Sequence, residues 1–115
     1  MKRKFRLRKR SDFERVRRHG RSVAHPLIVL IEHANGFSYT RFAVAAGRAV
    51  GNAVERNRAK RRLRAILAAI IPDVVPGKDI LVIARQPIRL AGYDRLDGAV
   101  KLLLEKANLL RKAVE

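Results

Sequence analysis

Cysteine is absent from this 115-residue chain, which excludes disulfide bonds, thiolate nucleophiles and cysteine-based zinc sites. No apolar run approaches the roughly 18 residues needed to cross a bilayer, so the sequence excludes a transmembrane protein. The basic N-terminus meets no apolar segment before His19, and we expect no secretory signal. We therefore expect a cytoplasmic protein with a single domain over residues 1–115, whose basic N-terminal segment, 1–10, could be flexible.

Acidic residues are scarce, with 10 Asp and Glu against 27 Lys and Arg, so the formal net charge is +17. The excess is concentrated, since residues 1–21 carry +9 and residues 48–64 carry +6. A surface selected only for solubility would intersperse both signs. The pattern predicts a polyanionic partner. A membrane-surface helix is a weaker alternative, because residues 1–10 lack a bulky apolar stripe.

Residue patterns typical of catalytic or metal sites are missing as well. His19, His25 and His33 do not have the spacing of metal ligands, and the carboxylates are scattered along the chain. Two-metal nucleases need several carboxylates around their ions. The serines have no evident base partner. The sequence thus predicts binding, with no catalytic residue and no metal ligand in the protein.

The apolar and turn patterns predict seven elements. Ser11 and Glu14 have the form of a capping box, which predicts a short helix from Ser11 to a glycine stop at Gly20. Asn35-Gly36 predicts a hairpin turn between two strands. The predicted strands are 22–24, 27–31, 39–47 and 79–85, and the later helices are 52–71 and 93–113, the last with an apolar stripe reaching Leu110. The order αβββαβα favours a two-layer α/β sandwich.

The helix over 52–71 is the most informative segment. Helical spacing gathers an apolar arc expected to pack on the sheet: Ala59, Leu63, Ile66, Leu67 and Ile70. The opposite side carries Asn57, Arg58, Lys60, Arg61 and Arg64, with Arg56 and Arg62 at the borders. Like charges at this spacing repel each other, and a phosphate backbone would remove that repulsion. The preceding loop, 47–52, adds two glycines and an Asn cap, a pattern that is structural on its own but favours anions at a helix start.

These motifs together resemble the protein subunit of bacterial ribonuclease P. The helix carries Gly-Asn-Ala-Val-x-Arg-Asn-Arg-x-Lys-Arg-x-x-Arg, which is similar to the family's signature. Three further blocks follow the family order: Arg6-Leu7-Arg8 with Asp12-Phe13 and Gly20-x-Ser22, the strand at 27–31, and Lys78-Asp79-Ile80 to Ile83-Ala84-Arg85. The resemblance covers nearly the whole chain.

The resemblance implies a fold and a function. The implied fold is an αβββαβα sandwich with a mostly antiparallel sheet and a left-handed βαβ crossover. The catalyst is the RNA subunit, which the protein assists in removing the 5′ leader from precursor tRNA. The holoenzyme would use Mg²⁺ bound mainly by RNA, and the protein alone would need no cofactor. The implied partners are the catalytic RNA and the leader, with no membrane and no small-molecule substrate.

The resemblance also assigns residues. The basic helix and its preceding loop would face the RNA subunit through Arg48, Asn52, Arg56, Asn57, Arg58, Lys60, Arg61, Arg62 and Arg64. A leader cleft between the first helix and the sheet would contain Phe13, Arg17 and Ile31, with Arg56, Asn57, Lys60, Arg61 and Arg64 at its rim. The family often has aromatic residues at the positions of Arg17 and Ile31. Leader affinity or preference would differ accordingly, since stacking on an aromatic contributes roughly 1–3 kcal/mol per base.

Two other functions remain open from the sequence. A small ribosomal or RNA-chaperone protein would share the basic composition but would have no role in processing. A protein-only nuclease would cleave RNA with Mg²⁺ and without an RNA subunit, through at least one essential carboxylate.

Overall fold

A mixed sheet of four strands forms the centre of the computed structural model, which describes residues 2–111. In chain order the strands are β1 (Arg21–Ala24), β2 (Ile28–Ala34), β3 (Arg41–Ala46) and β4 (Lys78–Ala84). Their spatial order is β1-β2-β4-β3, with β1–β2 and β2–β4 antiparallel and β3–β4 parallel. The sheet is therefore mostly antiparallel, as expected.

Three helices accompany the sheet: α1 (Arg10–His19), α2 (Ala53–Ile70) and α3 (Tyr93–Lys106). α2 and α3 pack on one face over the main apolar core, and α1 packs on the opposite face over a smaller apolar cluster. α2 connects the neighbouring parallel strands β3 and β4, which is the expected βαβ unit. The predicted αβββαβα sandwich is confirmed.

β4 shows why both faces of the sheet are covered. Ile80 and Val82 belong to the main core under α2 and α3, whereas Leu81 between them belongs to the cluster under α1. Side chains alternate between the two faces of a strand, and all three of these are at most 1% exposed. A strand buried on both faces reads as a continuous apolar run, which is the pattern seen in the sequence.

The predicted apolar arc of α2 is confirmed residue by residue. All of its members are buried on the sheet: Ala59, Leu63, Ile66, Leu67 and Ile70. The helix ends at Ile70, and Pro72 lies in the 3₁₀ helix Ile71–Asp73 that follows.

Within residues 2–111, no helix combines the length and apolarity needed to span a bilayer.

The predicted hairpin at Asn35-Gly36 is wrong, although the chain does turn there. Gly36 has a φ of 76°, and Phe37 N donates to Asn35 Oδ1 at 2.7 Å. The strands on either side do not pair with each other, because β4 lies between β2 and β3. The local pattern identified the turn, but the later strand β4, which is buried on both faces, pairs with both strands and separates them.

The predicted capping box at Ser11 is also wrong. α1 begins at Arg10 with Lys9 at the cap position, and no side chain caps the helix. Glu14 instead pairs with Arg10 at 3.4 Å. Leu7 N donates to Phe42 O at 2.7 Å, so the chain is fixed to the sheet just before the helix, and this tertiary contact sets the start of α1.

The last helix is shorter than predicted. α3 ends at Lys106, and Asn108 adopts a left-handed conformation with φ 57°. Leu109 N donates to Leu104 O at 2.8 Å and Asn108 N donates to Glu105 O at 3.0 Å, which is a Schellman ending. Leu110 then forms an antiparallel bridge with Val74 instead of extending the stripe. Residues 112 and 113 of the predicted helix lie outside the described residues.

Candidate nucleic-acid interface

The start of α2 is closed by a reciprocal cap. Asn52 Oδ1 accepts from Glu55 N at 2.9 Å, and Glu55 Oε1 accepts from Asn52 N at 3.2 Å. Glu55 Oε2 also pairs with Arg89 Nε at 3.1 Å. Gly51 has a φ of 142°, and a Cβ there would overlap the Glu55 carboxylate. The Asn cap is confirmed. Glu55 already places a negative charge at this positive helix end, and the predicted RNA contacts of Arg48 and Asn52 stay predictions.

The outward side of α2 is a dense row of cations. Arg58, Arg61 and Arg64 are exposed with Asn57, and Arg56 and Lys60 are half-buried at its edges. In the part of the chain that the structure describes, none of these five cations forms an ion pair. Repulsion between neighbouring turns is therefore left uncompensated within the described residues. We call this side the α2 basic face.

Arg62 differs from its neighbours. Its Nη2 donates to Ala91 O at 2.6 Å and its Nη1 to Ile88 O at 3.4 Å, which ties α2 to the 3₁₀ helix Gln86–Leu90. Burial, with the charge of Arg58, lowers the pKa of Arg62 from its usual value. Its predicted RNA contact stays a prediction, and the structure gives its guanidinium a role in packing.

The N-terminal basic segment lies beside the edge strand β3. Arg6 bridges to Phe42 in parallel register, and Leu7 is buried. This contact places Arg6 and Arg8 on one groove with Phe13 and Arg64, floored by Leu7, Phe42, Ala43 and Val44. The two basic blocks, far apart in sequence, thus meet at one groove, which we call the β3-edge groove.

The predicted cleft residues are only partly brought together. Phe13 and Ile31 both pack against the apolar cluster under α1. Arg17 is exposed on α1, one turn after Phe13. Phe13 and Arg64 line the β3-edge groove, whereas Arg17 and Ile31 do not. The other predicted rim residues, Arg56, Asn57, Lys60 and Arg61, do not line it either, and Arg48 lies exposed before α2.

Comparison with known proteins decides the family. A profile of the family described as Ribonuclease P matches residues 1–108. The chain belongs to the ribonuclease P protein family. A "Ribonuclease P protein component" from Symbiobacterium thermophilum is 42% identical, with 97% of this chain and 98% of the relative covered. One from Herpetosiphon aurantiacus is 38% identical over 95% of this chain and 89% of the relative. The resemblance found in the sequence is thereby confirmed.

Solved structures of the family share the fold. The RNase P protein of Staphylococcus aureus superposes with a TM-score of 0.85 at 30% identity, covering 93% of this chain and 98% of the other. The RNase P protein of Thermotoga maritima gives 0.80 at 28% identity, covering 88% and 96%. The chain is thus a member of a tRNA-processing family with that family's α+β architecture.

Sequence reasoning missed a buried ion cluster in this ribonuclease P protein. Asp79, the first residue of the predicted strand 79–85, is fully buried in β4 and accepts hydrogen bonds from Arg41, Arg15 and Asn35. Asp12 lies within 3.2 Å of Arg15 and 3.5 Å of Arg41. The cluster fixes α1 on the sheet, and with it Phe13. The sequence feature that could have revealed this cluster is an acidic residue, Asp79, at the start of an otherwise apolar strand.

A second buried carboxylate of this family member holds β1 in place. Glu32 is 4% exposed and pairs with Arg21 Nε at 3.0 Å and Lys78 Nζ at 3.2 Å.

Within residues 2–111, no three His, Asp or Glu side chains gather as a metal site would require. The described site offers cations and hydrogen-bond donors, a chemistry suited to binding phosphates.

Proposed function

We propose that this chain is the protein subunit of ribonuclease P, which assists a catalytic RNA in removing the 5′ leader of precursor tRNA. The α2 basic face binds the RNA subunit, and the β3-edge groove receives the single-stranded leader. The observation that carries this proposal is the convergence of Arg6, Arg8 and Arg64 with Phe13 on one groove.

The groove has the parts that single-strand binding needs. Phe13 supplies an aromatic ring, and the three arginines can neutralise successive phosphates. The floor includes Phe42, Ala43 and Val44 of the edge strand β3, beside the N-terminal segment that bridges to it. A duplex would present paired bases that cannot stack on Phe13, so the groove favours an unpaired strand.

The protein's contribution is electrostatic. Each phosphate neutralised by Lys or Arg releases counterions, so binding is favoured at low salt. The cations of the α2 basic face would replace part of the Mg²⁺ atmosphere that holds the RNA and its substrate together. We assign the Mg²⁺ ions of the reaction mainly to the RNA, as the family resemblance implies.

The test is reconstitution with the matching RNA subunit at low Mg²⁺. We expect the protein to raise precursor-tRNA cleavage, and Arg64→Ala to reduce that gain. Arg95→Ala is the matched control, because Arg95 is also an exposed helical arginine but lies on α3. No gain over RNA alone would overturn the proposal. Cleavage by RNA-free protein would favour the nuclease alternative, and co-sedimentation with ribosomes without any gain would favour the ribosomal one.

A further inference from the structure

Three aromatic side chains form a cluster at the opposite end of the N-terminal segment from Phe13. The rings of Phe37 and Tyr39 are nearly parallel, with centroids 5.5 Å apart and an interplanar angle of 14°. Phe5 meets Tyr39 edge-on at 6.2 Å. Phe5 and Tyr39 are half-buried, but Phe37 is 48% exposed. Phe37 is therefore the most exposed ring of the cluster.

Cations surround this cluster. Lys4 Nζ lies 5.0 Å from the Phe5 ring centre and 5.5 Å from that of Tyr39, and Arg41 Cζ lies 4.8 Å from Phe37. Tyr39 lines a groove whose other walls are all basic: Arg3, Lys4, Arg6, Arg8, Lys9 and Arg41. Arg41 is neutralised by Asp79, whereas the other five form no ion pair among residues 2–111.

The loop that carries Phe37 is held in place. Asn35 Oδ1 accepts from Phe37 N at 2.7 Å, and Asn35 Nδ2 donates to Tyr39 O at 3.1 Å and to the buried Asp79 at 3.0 Å. The loop backbone is thus held by contacts that reach the core, and the ring itself is held by its stack on Tyr39. A fixed aromatic loses little side-chain entropy when a ligand stacks on it.

We propose that Phe37 and Tyr39, with the cations of the N-terminal segment, bind an unpaired RNA nucleotide. Aromatic rings beside unpaired cations are the combination that recognises single-stranded nucleic acid, with the base on the ring and the phosphates on the cations. Arg6 and Arg8 line both this groove and the β3-edge groove. An extended strand can therefore pass from Phe13 to Phe37, which gives two stacking positions on one basic track. The inference rests on the proposed function only in taking RNA as the ligand.

The test uses the natural absence of tryptophan. Phe37→Trp gives a protein with one indole, whose fluorescence is quenched when a base stacks on it. The probe is a short oligouridylate added to the full-length protein. Leu102→Trp is the matched control, because Leu102 is 45% exposed on α3. We expect quenching at position 37 and none at position 102. Equal quenching in both variants, or equal quenching by an RNA duplex, would overturn the proposal.

Affinity gives a second readout. Phe37→Ala should weaken oligouridylate binding about fivefold or more, while the salt slope stays unchanged because no phosphate contact is lost. Lys4→Gln should instead lower the slope by about 0.7 if it removes one contact. Phe37 is 48% exposed and stacks on Tyr39, so Phe37→Ala should lower the urea midpoint slightly in a protein that stays folded, and Phe37→Trp should keep the stack. Wild-type affinity in a folded Phe37→Ala protein would reject the site.

The outcomes separate the two proposals. If oligouridylate stacks on position 37 but the protein gives no gain with the RNA subunit, the nucleotide site stands and the proposed function fails. If reconstitution succeeds and position 37 does not respond, only the nucleotide site is rejected.

Discussion

Arg41 on β3 holds Asp79 on β4 through two hydrogen bonds, from Nε to Oδ1 at 2.8 Å and from Nη2 to Oδ2 at 2.7 Å. Burial alone would raise the pKa of Asp79, but the hydrogen bonds from Arg41, Asn35 and Arg15 outweigh it and hold that pKa below its usual value. The carboxylate joins α1, the turn after β2 and the parallel strands at one point.

Asp79→Asn should destabilise the protein. The substitution leaves the guanidinium groups of Arg41 and Arg15 without their buried counter-charge, a change that costs about 3–5 kcal/mol where a buried pair is broken. Urea unfolding measures the difference. Asp97→Asn is the control, because the Asp97–Lys101 pair lies on the surface of α3 and its loss should change the midpoint little. Equal effects of the two variants would contradict the prediction.

The same carboxylate predicts a pH dependence. Its pKa is lower in the folded protein than the unfolded value of about 3.9, so its stabilising contribution is complete above that value. The contribution is lost as the pH falls through the folded pKa. The difference in unfolding free energy between wild type and Asp79→Asn should therefore shrink below about pH 4. A difference that is constant from neutral to acid pH would refute the assignment.

Asn52→Ala should cost about 1 kcal/mol, because it removes the side-chain cap of α2. Ser11→Ala tests the cap that the sequence predicted and the structure does not contain. Ser11 is exposed inside the first turn of α1, so alanine there should be neutral or slightly stabilising. Thermal unfolding measures the stability of both variants. If Ser11→Ala lost more stability than Asn52→Ala, the result would argue for the cap that the sequence predicted.

Gly20 and Gly98 should respond to alanine in opposite directions. A Cβ at Gly20 would lie 2.5 Å from Val16 O and 2.7 Å from Ile31 Cγ2, so Gly20→Ala should destabilise by about 1–3 kcal/mol. Gly98 is inside α3 with open space around it, and Gly98→Ala should stabilise by about 0.5–1 kcal/mol. The urea unfolding midpoints of the two variants test this prediction. A Gly20→Ala variant as stable as the wild type would show that β2 can move away from α1.

Arg58→Ala and Arg61→Ala should weaken RNA binding and reduce the salt slope by about 0.7 to 0.9 per lost phosphate contact. Neither side chain has an ion-pair partner in the described structure, and each lies beside like charges, so protein stability should not fall and should rise slightly as repulsion is relieved. Arg62→Ala should instead lower stability, by about 1–3 kcal/mol, because it leaves the carbonyl of Ala91 without its donor, whereas Ile88 O keeps the hydrogen bond from Ala91 N. Binding titrations at several salt concentrations, with unfolding of each variant, separate the two roles. An unchanged slope for both Arg58 and Arg61 would mean that this face does not meet the phosphates.

Local signals predicted much of the fold and part of the site. The apolar arc of α2, its Asn52 cap and the buried strand β4 follow from spacing and turn chemistry within a few residues. Strand pairing does not, since it joins residues such as Leu30 and Val82 that are distant in the chain. For the same reason the hairpin at Asn35-Gly36 was predicted wrongly, and the ion cluster around the buried Asp79 was missed.

The sequence by itself determined the order of the elements, the family and the excess of positive charge, because periodicity, motif and composition are properties of the chain. Only the tertiary structure decided where that charge is used. The bridge between Arg6 and Phe42 places the N-terminal segment along β3, and this brings its arginines next to Arg64 and Phe13. The insertion of β4 between β2 and β3 buries Asp79 and fixes α1. Both depend on contacts between distant segments, whose formation is governed by packing of the whole core and not by local propensity.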